Sequence, residues 1–117
     1  MKRIITYTLV LFLLLFSNVM AFEPSISSGE KTADAVIHNG NVYITALAVM
    51  TDGTNDARVI LYNSGSSAIG KVIWEVTVAG GDNYGGRIWA FPTNCNDGIY
   101  ADVNGTGASY IVEYIVR

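Results

Sequence analysis

The chain of 117 residues predicts an all-β protein, an antiparallel β-sandwich or jelly-roll-like barrel of about seven strands behind an N-terminal signal peptide. Three observations carry this. Apolar residues alternate with period two along a series of short runs, a turn signal rich in Gly, Asn or Asp separates each run from the next, and no helical period follows the signal segment.

Lys2 and Arg3 precede an apolar run over residues 9–16, and Val19 and Ala21 supply small residues where a signal peptidase reads them. Residues 1–21 are therefore expected to be a signal peptide, residues 22–32 a flexible polar arm, and residues 33–117 a single sandwich domain. The apolar stretch is shorter than the roughly 20 residues needed to span a bilayer, so no membrane span is expected after cleavage. Localisation is expected to be exported: secreted, periplasmic or at the cell surface.

A short strand over residues 33–38 ends at Asn39-Gly40, a strong hairpin signal, and a longer strand follows over residues 42–51. There Val42, Ile44, Ala46, Ala48 and Met50 share one face and Tyr43, Thr45, Leu47 and Val49 the other, as expected of a strand covered on both sides. Asp52-Gly53-Thr54-Asn55-Asp56 breaks the pattern, and residues 57–63 resume it to make a second hairpin. Residues 71–78 alternate with Val72, Trp74, Val76 and Val78 inward, which makes Trp74 an expected central core residue. Four glycines in residues 79–86 imply a loop, after which residues 87–91 form a short strand stopped by Pro92. Residues 97–116 read as a closing hairpin around Gly105, a residue that accepts the positive φ of a type II′ turn. Its expected register sets Val103 opposite Ala108, Ala101 opposite Tyr110 and Ile99 opposite Val112.

Beyond the signal segment the chain keeps five basic and ten acidic residues, a formal charge of about −5. That balance disfavours nucleic acid and anionic lipid as partners, because phosphates require a basic surface. Cys95 is the single cysteine, so no disulfide can form within the chain and packing or assembly must hold it together.

The succession TDGTNDARVILYNSGS, IGKVIWEVTV, WAFPTNC and DGIYADVNGTGASYIVEY resembles a group of small single-domain β-sandwich proteins encoded by tailed phages and prophages. The resemblance covers roughly residues 42–115 and rests on turn and core residues. It implies a virion-associated or surface-associated structural protein that can oligomerise. The signal peptide pattern is a departure from that group.

No catalytic, cofactor-binding or metal-binding residues are expected. His38 is the only histidine and lies at a strand end, Cys95 sits in an Asn-rich turn rather than at a helix N-terminus, and no G-x-S-x-G turn exists. The glycines of residues 80–86 lack the Lys-Ser/Thr end of a phosphate loop. Asp52, Asp56, Asp82 and Asp97 fall in turns, where Asp is frequent for local hydrogen bonding. Tyr84 and Trp89 are the candidate ligand platform, two aromatic residues able to stack on a sugar ring, although the parity of Trp89 also suits a place in the core.

The leading functional expectation is a non-enzymatic exported structural or adhesion module, virion-like and self-assembling, with a cell-surface or virion partner. The alternative is a small secreted carbohydrate-binding module with a glycan partner. A homo-oligomer is expected because Tyr43, Leu47, Val49, Ile60, Tyr62, Ile73, Tyr100, Ile111 and Ile115 fall on faces opposite those assigned to the core. Intact-mass spectrometry of natively expressed protein should give a chain beginning at Phe22; a soluble cytoplasmic species retaining Met1 to Ala21 would contradict the assignment.

Overall fold

The computed structural model describes residues 24–117, so the expected signal peptide and its expected cleavage position lie outside the described residues. Eight strands follow in chain order: β1 (Ile26–Ser27), β2 (Ala35–Asn39), β3 (Val42–Met50), β4 (Ala57–Asn63), β5 (Lys71–Val78), β6 (Tyr84–Cys95), β7 (Gly98–Asn104) and β8 (Ser109–Val116). They build two antiparallel four-stranded sheets, ordered β1-β8-β3-β6 and β2-β7-β4-β5. This strand order is that of a jelly roll. The expected fold class is therefore observed, with β2 to β8 as the seven expected strands.

The pairing departs from the local reading of turns. Only the β4–β5 connection stays within one sheet; the other six cross between sheets. The expected hairpins β2–β3, β3–β4 and β7–β8 are consequently not formed. β8 pairs with β1 and β3, while β7 pairs with β2 and β4. Ile99, Ala101, Ala108, Tyr110 and Val112 all enter the core, with Val103 packed against it, so these residues meet across the sandwich and not as ladder neighbours. Gly105 does have positive φ, at 120°, and a Cβ there would strike the Asp56 carbonyl, so the turn needs glycine on both counts.

Irregularities in register decide which residues are buried. On β3 the pairing to both neighbours shifts between Ile44 and Ala46, so Thr45 is an extra residue and the inward set passes from Val42 and Ile44 to Leu47 and Val49. The strict alternation expected for this strand is corrected by that bulge. On β5 the shift leaves Ile73 unpaired between Val72 and Trp74 and packs it against the core, while Val72 stays exposed. Trp74 is 39% exposed and is not a central core residue. β6 is longer than expected because Pro92 does not end it. Residues 89–92 bulge opposite Thr45, where the missing Pro92 N–H breaks no ladder bond.

The core is one apolar layer between the sheets, formed from Val42, Ile44, Leu47, Val49, Tyr110 and Val112 on one side and Val59, Leu61, Val78, Ile99 and Ala101 on the other. The arm is not free over its described length. Ile26 and Ser27 pair with Tyr114 and Glu113, Ser28 Oγ accepts from the Val112 N–H at 2.9 Å, and Lys31 and Tyr110 exchange two backbone hydrogen bonds of 2.9 Å. Tyr110 is fully buried and its hydroxyl donates to the Ala33 carbonyl at 2.9 Å, fixing the passage from arm to β2.

Burial, and secondarily the nearby Asp34 carboxylate, raises the Tyr110 phenol from 10.0 to about 12. The fold thus favours the neutral phenol, so its contribution is complete below pH 10.0 and is lost as pH rises through about 12. Thermal melts across that window should show a steep alkaline fall in Tm. Tyr110→Phe should lose about 1 kcal/mol at neutral pH through the missing hydrogen bond yet fall less steeply in alkali. Parallel slopes for the two proteins would contradict this role.

Candidate functional site

The two candidate platform residues are both carried by β6 but do not come together. Between Tyr84 and Ile88, β6 pairs regularly with β3, with Tyr84 opposite Met50, Gly86 opposite Ala48 and Ile88 opposite Ala46. Arg87 lies opposite the buried Leu47, which sets residues 85 and 87 on the inner face and residues 84, 86 and 88 on the outer. Tyr84 is 77% exposed on the outer face, whereas Trp89 is half-buried against the core. Trp89 faces inward, as its parity allowed, but it is partly buried and packs against the core without joining it.

Trp89 belongs to a group that closes one flank of the sandwich, where the edge strands β5 and β6 lie over one another. Its ring meets that of Trp74 edge-on, with centroids 6.3 Å apart and an interplanar angle of 80°. The Arg87 guanidinium sits 3.7 Å from the Trp74 ring centroid and 5.1 Å from that of Trp89. A cation over an aromatic face is attracted by the ring's negative π surface, so Arg87 is held in this flank instead of extending into water. The sequence signal for the group was Arg87 and Trp89 sharing one parity, but nothing local linked them to Trp74.

The outer face of the β1-β8-β3-β6 sheet is apolar across β6 and β3 and reaches Ile111 on β8, with the exposed Glu113 at its border. Gly86, Ala48 and Ile111 form one row across it and Ile88, Ala46 and Glu113 the next. Shallow grooves run beside Ile88, which is 84% exposed, and beside Tyr84. Several residues assigned to outer faces from parity alone are elsewhere: Leu47 and Val49 are core, Ile73 packs against it, and Ile60 is buried. On this outer face the exposed apolar surface is carried by Tyr84, Ile88 and the small residues of β3; elsewhere Ile26, Val36, Ile69, Val72, Trp74 and Val116 are exposed as well.

The other chemical candidates have structural tasks. Asp52 Oδ1 accepts from the Asn55 and Thr54 backbone N–H groups at 2.7 and 2.9 Å, and its Oδ2 accepts from the Asn55 amide at 2.7 Å. Those bonds, led by the Asn55 N–H, hold its carboxyl below the ordinary range. Asp56 Oδ1 accepts from the Gly80 N–H at 2.8 Å and ties two loops together. Among the described residues no three His, Cys, Asp or Glu side chains cluster as metal ligands would. Cys95 is fully buried, and burial pushes its thiol up to about 11, which keeps it protonated and unreactive at neutral pH. His38 stacks at a tilt on Tyr114, ring centroids 5.8 Å apart. A cleft of about 350 Å³ with mixed lining lies between Asn63, Lys71, Val72, Ile73, Thr93, Asn94 and Asn96.

Comparison with protein-family models, curated proteins and solved structures finds no significant match.

Proposed function

We propose that this chain is an exported, non-enzymatic structural or adhesion module that acts through its surfaces and assembles with further copies of itself. The observation that carries the reading is the outer face of the β1-β8-β3-β6 sheet, where Tyr84 and Ile88 stand out above Ala46, Ala48 and Ile111. Contiguous exposed apolar surface of this kind marks an interface. The signal pattern and the resemblance to phage-encoded sandwich proteins support export and assembly, and jelly rolls serve in capsids and lectins alike. That last support is an analogy of fold, since function resides in the surface a fold carries.

A carbohydrate-binding module is the second reading, favoured by one observation: the exposed Tyr84 ring borders a shallow groove lined by Leu47, Ala48 and Ile88. Aromatic faces of this type stack on sugar rings, but Trp89 does not join Tyr84 in a shared platform.

Size-exclusion chromatography with light scattering separates the two. Processed protein at micromolar concentration should elute with the mass of a dimer or larger assembly and dissociate on dilution. A sharp monomer mass independent of concentration, together with glycan-array binding abolished by Tyr84→Ala, would replace the assembly reading with the carbohydrate one.

A further inference from the structure

Four strands form the edges of the two sheets, and three of them carry features that resist pairing with another chain. β1 has two residues, β2 has five and a register shift at Ile37, and β5 carries Lys71 and Glu75 together with the unpaired Ile73. Short length, charge and bulges are the ordinary means of blunting a sheet edge. β6 is the longest strand, at 12 residues, and its halves differ. Residues 89–92 are bulged and include Pro92, but residues 84–88 are regular and free of proline, and their outward side chains are uncharged. Arg87, their single charge, is turned inward onto Trp74 and Trp89.

We infer that residues 84–88 of β6 pair antiparallel with the same segment of a second copy about a twofold axis at Gly86, joining two β1-β8-β3-β6 sheets into one of eight strands. This rests on the self-assembly reading above and names its contact. In that register Tyr84 stands opposite the second copy's Ile88, and Ile88 opposite the second copy's Tyr84. These are the two most exposed large apolar residues of the described chain, at 77% and 84%. An aromatic side chain facing a β-branched one is a favourable cross-strand pair, and the twofold produces it twice. Arg87 would lie opposite Gly85, which has no side chain to displace the guanidinium from its rings. The self-complementary order aromatic-Gly-Gly-Arg-Ile therefore suits an isologous contact, in which each copy offers the same patch.

The contact is edge to edge, so it covers the two Tyr84 and two Ile88 side chains, at most about 150–250 Å² for each aromatic ring, and leaves the outer face of β3 open. That places it below the roughly 1,200–2,000 Å² of a standard interface, among the contacts that dissociate on dilution. The partner strand also satisfies the free N–H and C=O groups along the edge.

Disulfide trapping tests the register. The double variant Tyr84→Cys with Ile88→Cys should give a covalent dimer under mild oxidation, because opposed residues in an antiparallel pair have Cα atoms about 4.5–5.5 Å apart, within bridging range. Either single variant should give none, since its two copies of the new cysteine lie four residues out of register, roughly 13 Å apart. Buried Cys95 is left in place. Ile88→Lys, which alters an exposed side chain, should raise the dissociation constant at least tenfold while leaving the circular dichroism spectrum unchanged. Equally efficient trapping by the single variants would overturn the register. A double variant that still dimerises by light scattering under reducing conditions but is not trapped on oxidation would overturn the β6 contact and leave self-assembly standing; a double variant that is monomeric while the wild type is dimeric would support the contact, whereas a monomeric wild type would end both.

Discussion

The structure depends on one apolar layer between two sheets that no ladder joins. With a single cysteine there is no disulfide to hold the sheets in place, so burial of Ile44, Leu47, Leu61, Ile99, Tyr110 and their neighbours must do so. The crossing connections follow. A chain that alternates between sheets interleaves both halves of its sequence in one core, and neither sheet can leave without exposing the other. Each flank needs its own closure. On one, Arg87 is sandwiched with Trp74 and Trp89; on the other, the Tyr110 hydroxyl and the Asp34 carboxylate bind the arm and β7, the latter through the Val103 N–H at 2.8 Å.

Fold class was legible because period-two alternation reports which residues face inward, and burial enforces that wherever the core is thin. Partnership was not legible. Ala101 and Tyr110 are both core residues flanking a Gly-rich turn, and the same alternation suits a hairpin within a sheet or a corner between sheets. Only packing against β3 and β4, far off in sequence, distinguishes them. Bulges hid the rest. Thr45 shifts the inward set of β3 by one residue, so Leu47 and Val49 change sides relative to simple counting. Its hydroxyl is buried without a hydrogen-bond partner among the described residues, a cost borne where the strand changes parity.

The candidate surface was half visible. Tyr84 was conspicuous as an aromatic residue among glycines, and it is exposed. Trp89 was conspicuous as an aromatic residue just beyond those glycines, yet it shares the inward parity of Arg87, opposite to that of Tyr84, which turns it to the core flank. Trp74 read as core because its neighbours Val76 and Val78 are inward, but β5 is an edge strand and its inward residues near Trp74 meet the open flank. Ile88 had no signal of its own, since its exposure comes from the outer face being left bare by the fold.

The most direct measure of the account is the set of backbone Hα–Hα contacts seen by NMR in isotopically labelled protein. The two-sheet arrangement predicts cross-strand contacts joining β8 to β3, around the pairs Val49–Tyr110 and Leu47–Val112, and joining β7 to β4, around Leu61–Ala101. Contacts between the β7 and β8 backbones, with Ala101 opposite Tyr110 and Ile99 opposite Val112, would instead show a hairpin and contradict the jelly roll on which the proposed surface is built.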